Sequence, residues 1–455
     1  MCQLPTYLQV SWTPLLHLPS CPIPITESVA PNDPERWTPW THRPHGIEAD
    51  TPYCVFTNAA VPHNSSDHPD RPHRGISIAT TPEIASSCLS HLIPPLTDEY
   101  IIPPQYRMNY RSLPYDVRPV PGKGLGAVAT RKIEKDSVIL VDHAIMLATV
   151  EYPADVLRDE VRDLLSRGAG QLADPERVLG LAQNLGDRED YDEISVVEDV
   201  LITNSFAVTV DGRDFMGLFP DLSRMNHACN PNAAIHFSET ALAMTVWASR
   251  DIEPGEEITI TYSDVGMTYT ERQDTLHSIW GFTCSCKLCT SPPDTRRTSD
   301  ERRLRIRRLR DEVIALAQKG EFKQAVEKCE EVFAVIEEEG LTTHYGGLYE
   351  IPARLYYHLG DLQSAERYTR LALQELEGYG VNSTYSVKFG GARTVLAIRE
   401  MKRNLLNAPF WQRGDISSSA GQKLSQELRS YADKYQSPQV FCFNDILKAD
   451  CPVDC

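Results

Sequence analysis

From about Asp116 the chain switches between two apolar rhythms. "GKGLGAVATRKIEKDSVILVDHAI", Gly122 to Ile145, opens on a glycine turn and continues as two β-type runs. "ADVLRDEVRDLLSRG", Ala154 to Gly168, spaces its apolar residues three and four apart, which predicts helix. Strand patterns then return. "FAVTVDGRDFMGLF" predicts a hairpin turning at Asp211-Gly212, because an Asp-Gly pair tolerates the left-handed backbone of a two-residue turn. "ALAMTVWASRDI" and "EEITITY" predict two more strands, with Ile258 and Ile260 on one face and Thr259 and Thr261 on the other. Beyond a linker-like "TSPPDTRRTSD", Thr298 to Glu301 has the form of a capping box that starts a helix. Helical spacing then runs to about Asn404. Within it "GEFKQAVEKCEEVF" at Gly320 and "GDLQSAERYTRLAL" at Gly360 form a weak repeat, in which Ala325 and Ala365 match where two helices would pack closely.

The first 105 residues lack either rhythm. They are rich in Pro, His and Ser and read as an irregular extension with a few short strands. The 455 residues are enough for two or three domains with full cores, and 41% hydrophobic with 24% charged residues is ordinary for a globular chain. A net charge of −18 opposes sequence-independent binding to nucleic acid and suits a basic partner. No apolar run is long enough to span a bilayer, and the N-terminus lacks the basic start of a secretory signal.

Of the twelve cysteines, three crowd into "CSCKLC" as Cys284, Cys286 and Cys289. That spacing reads as metal ligation, and the cysteines outside it as buried or free thiols. Three thiolates leave a tetrahedral Zn²⁺ one ligand short. Cys229, inside "RMNHACNPN", is the candidate for the fourth. A site closed by four sulfurs has no open position and would be structural.

The ordered segments "GKGLGA" (Gly122–Ala127), "NSF" (Asn204–Phe206), "NHACNPN" (Asn226–Asn232), "GEEITITY" (Gly255–Tyr262) and "CSCKLC" resemble those of SET-domain lysine methyltransferases, nearest to the SMYD-type subgroup and its fungal relatives. The resemblance covers about residues 110–400. It implies an α+β fold: a knotted, β-rich SET domain over 106–265 with a helical insert at about 151–192, a post-SET zinc segment at 266–295, and an all-α tetratricopeptide-like domain at 296–405. The extension at 1–105 and a tail at 406–455 flank these.

The same resemblance implies S-adenosylmethionine as cofactor and a structural zinc ion. Lys123, Gly124 and Leu125 would meet the methionine end of the cofactor, and Asn204 and Asn226 its amino and carboxylate groups. His227 would read the adenine, largely through its backbone, and Phe282 would stack on it. Tyr262 would be the catalytic tyrosine, also beside the cofactor, and Trp280 would line the lysine channel where SMYD-type enzymes commonly carry Tyr. The MYND finger is not found, since residues 141–200 hold no cysteine. The implied partner is a protein with an exposed lysine, such as a histone tail. The expected state is a monomer in nucleus or cytoplasm, with no membrane attachment. Two rival readings stay open: a SET-fold scaffold without activity, and a methyltransferase for small amines. Tyr262 also reads as a strand aromatic, Lys123 as a loop lysine and Phe282 as packing for the zinc knuckle. The eight arginines from Arg296 to Arg310 read as the solvated face of a helix with Leu304 and Leu309 inward.

Overall fold

The computed structural model describes residues 21, 39–47, 52–61, 74–88, 113–150, 152, 156–182, 196–210, 212–238, 241–264, 266–341 and 348–378. The expected tail, the helical continuation past 378 and residues 183–192 of the helical insert lie outside them. Two compact units divide the chain. One comprises Met1–Asn226 and Asn232–Ile260, the other His227–Pro231 and Thr261–Cys455. A five-residue segment of the "NHACNPN" stretch thus folds with the second unit.

The first unit is β-rich. Its strands are β1 (His45–Ile47), β2 (Tyr53–Asn58), β3 (Ile76–Thr80), β4 (Tyr115–Val120), β5 (Gly124–Ala129), β6 (Val138–His143), β7 (Met146–Thr149), β8 (Ser205–Val210) and β9 (Arg213–Leu218). The two-residue β10 (Asn226–His227), of which only Asn226 groups with this unit, follows, then β11 (Ala233–Ser238), β12 (Ala243–Ala248) and β13 (Thr259–Ile260). Its helices are α1 (Pro82–Cys88), α2 (Arg158–Gly170), α3 (Glu176–Leu179) and α4 (Val196–Asn204). Six strands form one sheet in the order β1-β2-β3-β7-β9-β8, antiparallel except for β3 against β7. The chain's irregular-looking beginning therefore supplies three strands of this sheet. They carry apolar residues on both faces, so no alternation marks them: all of β3 is buried. Helix α2 closes on them so tightly that a Cβ on Gly168 would lie 2.6 Å from the Ser77 hydroxyl. Beside it, Thr57 donates to Gln171 Oε1 at 2.7 Å.

The expectation of free thiols is corrected at one pair. Cys21 and Cys54 form a disulfide, with Cα atoms 6.0 Å apart. Their 33-residue separation gives no local spacing from which to read it. The β8–β9 hairpin turns as expected, with Gly212 at φ +74°; Asp211 is outside the described residues. In the β4–β5 hairpin, left-handed Gly122 and Gly124 flank Lys123.

The second unit holds α5 (Tyr269–Trp280), α6 (Pro293–Gln318), α7 (Phe322–Glu339), α8 (Glu350–His358) and α9 (Leu362–Gly378). Helix α6 begins five residues before the expected capping box. Proline at its first position needs no hydrogen-bond acceptor, and the Thr298 hydroxyl donates back to the Asp294 carbonyl instead of capping. Leu304 is exposed, whereas Ile306, Leu309 and Val313 are buried. Arg303 is buried with them, on the face that the three-and-four spacing from Ser299 defines. Ala325 and Ala365, the paired small residues of the repeat, are both fully buried, and left-handed Gly320 and Gly360 stand just before α7 and α9. Among the described residues no helix is long and apolar enough to cross a membrane.

One buried charge in the first unit bears on stability. Asp142 in β6 accepts from the Asp221 and Leu222 N–H groups at 2.7 and 2.8 Å, at the start of the 3-10 turn Leu222–Arg224. Burial, then the nearby Asp221 charge, pushes its carboxyl up to about 7, against the pull of Arg177 and the two N–H groups. The folded chain holds this proton more tightly than the unfolded one, so stability falls as pH rises from about 4 to about 7. Asp142→Asn keeps an acceptor and cannot ionise. It is expected to match wild type near pH 3, to begin to exceed it by pH 5, and to exceed it above pH 8 by up to about 4 kcal/mol if the whole shift is realised. Melting curves across pH check this; parallel curves for the two proteins would refute it.

Candidate metal centre and flanking residues

In the second unit, four sulfur atoms converge. Cys229, Cys284, Cys286 and Cys289 are all buried, and their Sγ atoms lie within 4.8 Å of one another. Cys229 Sγ is 3.9 Å from that of Cys284 and 3.5 Å from that of Cys289. A tetrahedral zinc with bonds of about 2.3 Å has sulfur–sulfur edges of about 3.8 Å, so the set fits the ion. Cys229, expected as a fourth ligand, lies among the other three sulfurs. Without a cation the four cannot all ionise: hydrogen bonds beginning with Cys229 hold the Cys286 thiol far below its usual range and push Cys289 far above it. A divalent cation would draw all four to the thiolate form.

Local structure sets each ligand. Helix α5 starts at a capping box, Thr268 with Glu271, and stops at left-handed Gly281, which turns the chain toward Phe282 and the knuckle. The Gln273 side chain grips Cys284 from both sides, donating to its carbonyl at 2.9 Å and accepting from its N–H at 2.7 Å. The Thr290 N–H donates to the Cys286 carbonyl at 3.0 Å. Cys229 is held by its backbone, since Arg303 Nη2 donates to the Cys229 carbonyl at 2.9 Å. Arg303 is itself paired with Glu339 at 3.0 Å, and Glu339 accepts from Ser299. Asn230 Nδ2 donates to the Glu339 carbonyl at 3.4 Å. Arg303 is the residue that sequence reading missed, hidden in an arginine run; only its register with Ile306 marked it as inward.

His227 does more with its side chain than expected. Nδ1 accepts from the Tyr262 N–H at 3.0 Å, and Nε2 is 3.3 Å from Cys229 Sγ. The half-buried Tyr262 ring lies 5.1 Å from Trp280 and 6.5 Å from Phe282, with His227 5.4 Å away. His227, Tyr262, Trp280 and Phe282 are thus neighbours of the sulfur cluster.

The remaining candidates are in the first unit. Lys123 pairs with Glu257 at 2.6 Å. Asn226 Nδ2 donates to the other Glu257 oxygen at 2.9 Å and to the Leu125 carbonyl at 3.1 Å. Gly126 passes so close that a Cβ there would lie 2.6 Å from Asn226 Nδ2. Glu257 is thus the hub for Lys123 and Asn226, a role that the "GEE" pattern did not reveal. Asn232 is fully engaged: its oxygen accepts from the Thr259 N–H at 2.8 Å and its amide donates to the Glu257 carbonyl at 2.9 Å. Asn204 is buried at the end of α4, and its amide donates to the Val200 and Leu181 carbonyls at 3.1 and 3.3 Å. Leu125 is exposed.

Part of the chain matches known proteins. Residues 124–263 match the SET domain family. The chain is 34% identical over 130 residues to "N-lysine methyltransferase SMYD2" of Gallus gallus, covering 28% of each chain. It is 31% identical over 198 residues to "Histone-lysine N-methyltransferase set5" of Schizosaccharomyces pombe, covering 43% of this chain and 57% of that one. It is 45% identical over 74 residues to "Histone-lysine N-methyltransferase SMYD3" of Homo sapiens, covering 16% and 17%. The matched stretches span less than two thirds of each relative.

The sulfur cluster makes a direct prediction. Purified protein should carry about one zinc per chain, and Cys289→Ser should lose it, with a lower melting temperature. Cys329→Ser, altering a buried thiol of α7 outside the cluster, should keep the metal. Elemental analysis decides; equal zinc in wild type and Cys289→Ser would contradict the assignment.

Proposed function

We propose that this chain, whose residues 124–263 form a SET domain, is an S-adenosylmethionine-dependent protein-lysine N-methyltransferase with a structural zinc site. The observation that carries the reading is the company Tyr262 keeps. It is the penultimate residue of the SET match, and its backbone is bound by the His of "NHACNPN", whose Cys joins the "CSCKLC" sulfurs. Relatives named as lysine methyltransferases align with the chain, which supports the same chemistry here.

The reaction needs a lysine amine without its proton. At a pKa of about 10.4, roughly one lysine in a few thousand is neutral at pH 7. Removing the amine from water disfavours the ammonium, and the rings of Tyr262 and Trp280 offer apolar walls for this. The Tyr262 hydroxyl would orient the amine, so that acceleration comes from alignment and fixed dipoles. When bound, S-adenosylmethionine supplies a methyl group on a positively charged sulfur. The first unit has groups suited to its amino-acid end: Asn204 and Asn226 spend their amide N–H groups on the protein and leave side-chain oxygens to accept from an ammonium. Lys123, Gly124 and Leu125 present the backbone of a tight turn. Phe282 and the His227 backbone are assigned to the adenine, and Trp280 to the lysine path. The substrate is a protein with an exposed lysine in a basic segment, histone tails among them, which the net charge of −18 would attract.

The test is transfer of a tritiated methyl group from S-adenosylmethionine to histones, basic peptides and cell extract. Label should appear on protein lysine, and Tyr262→Phe should cut it by about a hundredfold or more without loss of fold. Label only on small amines, or undiminished transfer by Tyr262→Phe, would overturn the reading.

A further inference from the structure

His227 touches two things that sequence reading kept apart: a metal ligand and the backbone of the assigned catalytic tyrosine. A backbone N–H can only donate, so the nitrogen facing Tyr262 N at 3.0 Å, Nδ1, is the bare one. The ring proton is then on Nε2, which faces Cys229 Sγ at 3.3 Å and donates to it. The ring is 3% exposed, so water does not compete for either contact. Both ends are anchored. Cys229 is held through its carbonyl by buried Arg303 and through its sulfur by the cluster. On the other side, the Tyr262 ring is wedged against Trp280. A rigid planar ring with both nitrogens engaged, between two anchored groups, transmits displacement from one to the other.

We propose that His227 is a positioning residue, a strut that carries the geometry of the four-sulfur metal site to the backbone of Tyr262, so that metal occupancy sets where the tyrosine stands. The proposal uses the reading of Tyr262 as the catalytic residue, but its geometry can be tested apart from activity. Donors to metal-bound sulfur tune affinity as well as orientation, by about 10–100-fold when removed from comparable metal sites. The strut thus predicts two separable functions on one ring. His227→Asn places an acceptor where Nδ1 was and removes the donor to sulfur. His227→Gln places a donor where Nε2 was and removes the acceptor for Tyr262.

The experiment uses the full chain loaded with zinc, or with cobalt(II) in its place. In the cobalt protein, His227→Asn should move the sulfur-to-metal absorption to longer wavelength and weaken metal binding by about 10–100-fold, while His227→Gln stays near wild type. Hydrogen exchange of the zinc protein should show the reverse order. The Tyr262 amide should exchange about five- to tenfold faster in His227→Gln, the value of one hydrogen bond, and stay protected in His227→Asn. Amides of α7 serve as the control for general loosening. Methyl transfer should fall in both variants, in kcat more than in KM. If the Tyr262 amide in His227→Gln is as protected as in wild type, or if both variants leave the cobalt spectrum unchanged, the strut is overturned. If the exchange and spectral results hold while no variant or wild-type protein transfers methyl groups, the strut stands and the functional reading fails instead.

Discussion

Four cysteine sulfurs held within 4.8 Å of one another, as thiolates, repel and demand a cation between them. Three come from one six-residue knuckle. The fourth, Cys229, lies 55 residues before Cys284, in the middle of a domain whose other residues fold elsewhere. His227 to Pro231 group with the second unit, where Ala228 and Cys229 pack against Leu276 and the knuckle cysteines. A metal ion completed by Cys229 would add several times the strength of any one hydrogen bond in the segment. Once Cys229 is committed, its neighbours follow: His227 meets Tyr262, Asn230 meets the end of α7, and Arg303 is buried to satisfy the Cys229 carbonyl.

This explains why so short a stretch needs so many polar residues. In this stretch only the two residues of β10 lie in a strand, paired with β13, so side chains supply much of the remaining hydrogen bonding. Asn226 satisfies the Leu125 carbonyl and a Glu257 oxygen before the excursion. Asn232 satisfies the Thr259 N–H and the Glu257 carbonyl after it. Between them, His227 and Asn230 serve the second unit. Each of these contacts uses both the length and the donor or acceptor pattern of the residue present, so a swap of Asn for Asp or His for Phe would leave a polar group unpaired.

Much of this was legible in the sequence, for identifiable reasons. The knuckle announces itself because ligand spacing is local, and Cys229 could be matched to it because the cluster lacked one sulfur. The β8–β9 hairpin was marked by an Asp-Gly turn, and α2 by its apolar spacing. Other features carry no local signal. Strands β1 to β3 are buried on both faces and sit amid Pro, His and Ser, so neither alternation nor composition exposes them. The Cys21–Cys54 bond joins residues whose separation has no pattern. Arg303 was read as solvated because burying a guanidinium is costly; Glu339 and the Cys229 carbonyl, both remote in sequence, offset that cost. The His227 side chain was passed over because its two partners, a sulfur and a backbone N–H, are both set by the tertiary fold.

The central claim is that one metal ion, bound only by sulfur, holds Cys229 to the knuckle. X-ray absorption at the zinc edge of the purified protein measures this directly. The account predicts four sulfur scatterers at about 2.3 Å and no nitrogen or oxygen in the first sphere. A site with three or fewer sulfurs, or with light-atom ligands in place of one, would mean that Cys229 does not bind the metal and would contradict the account.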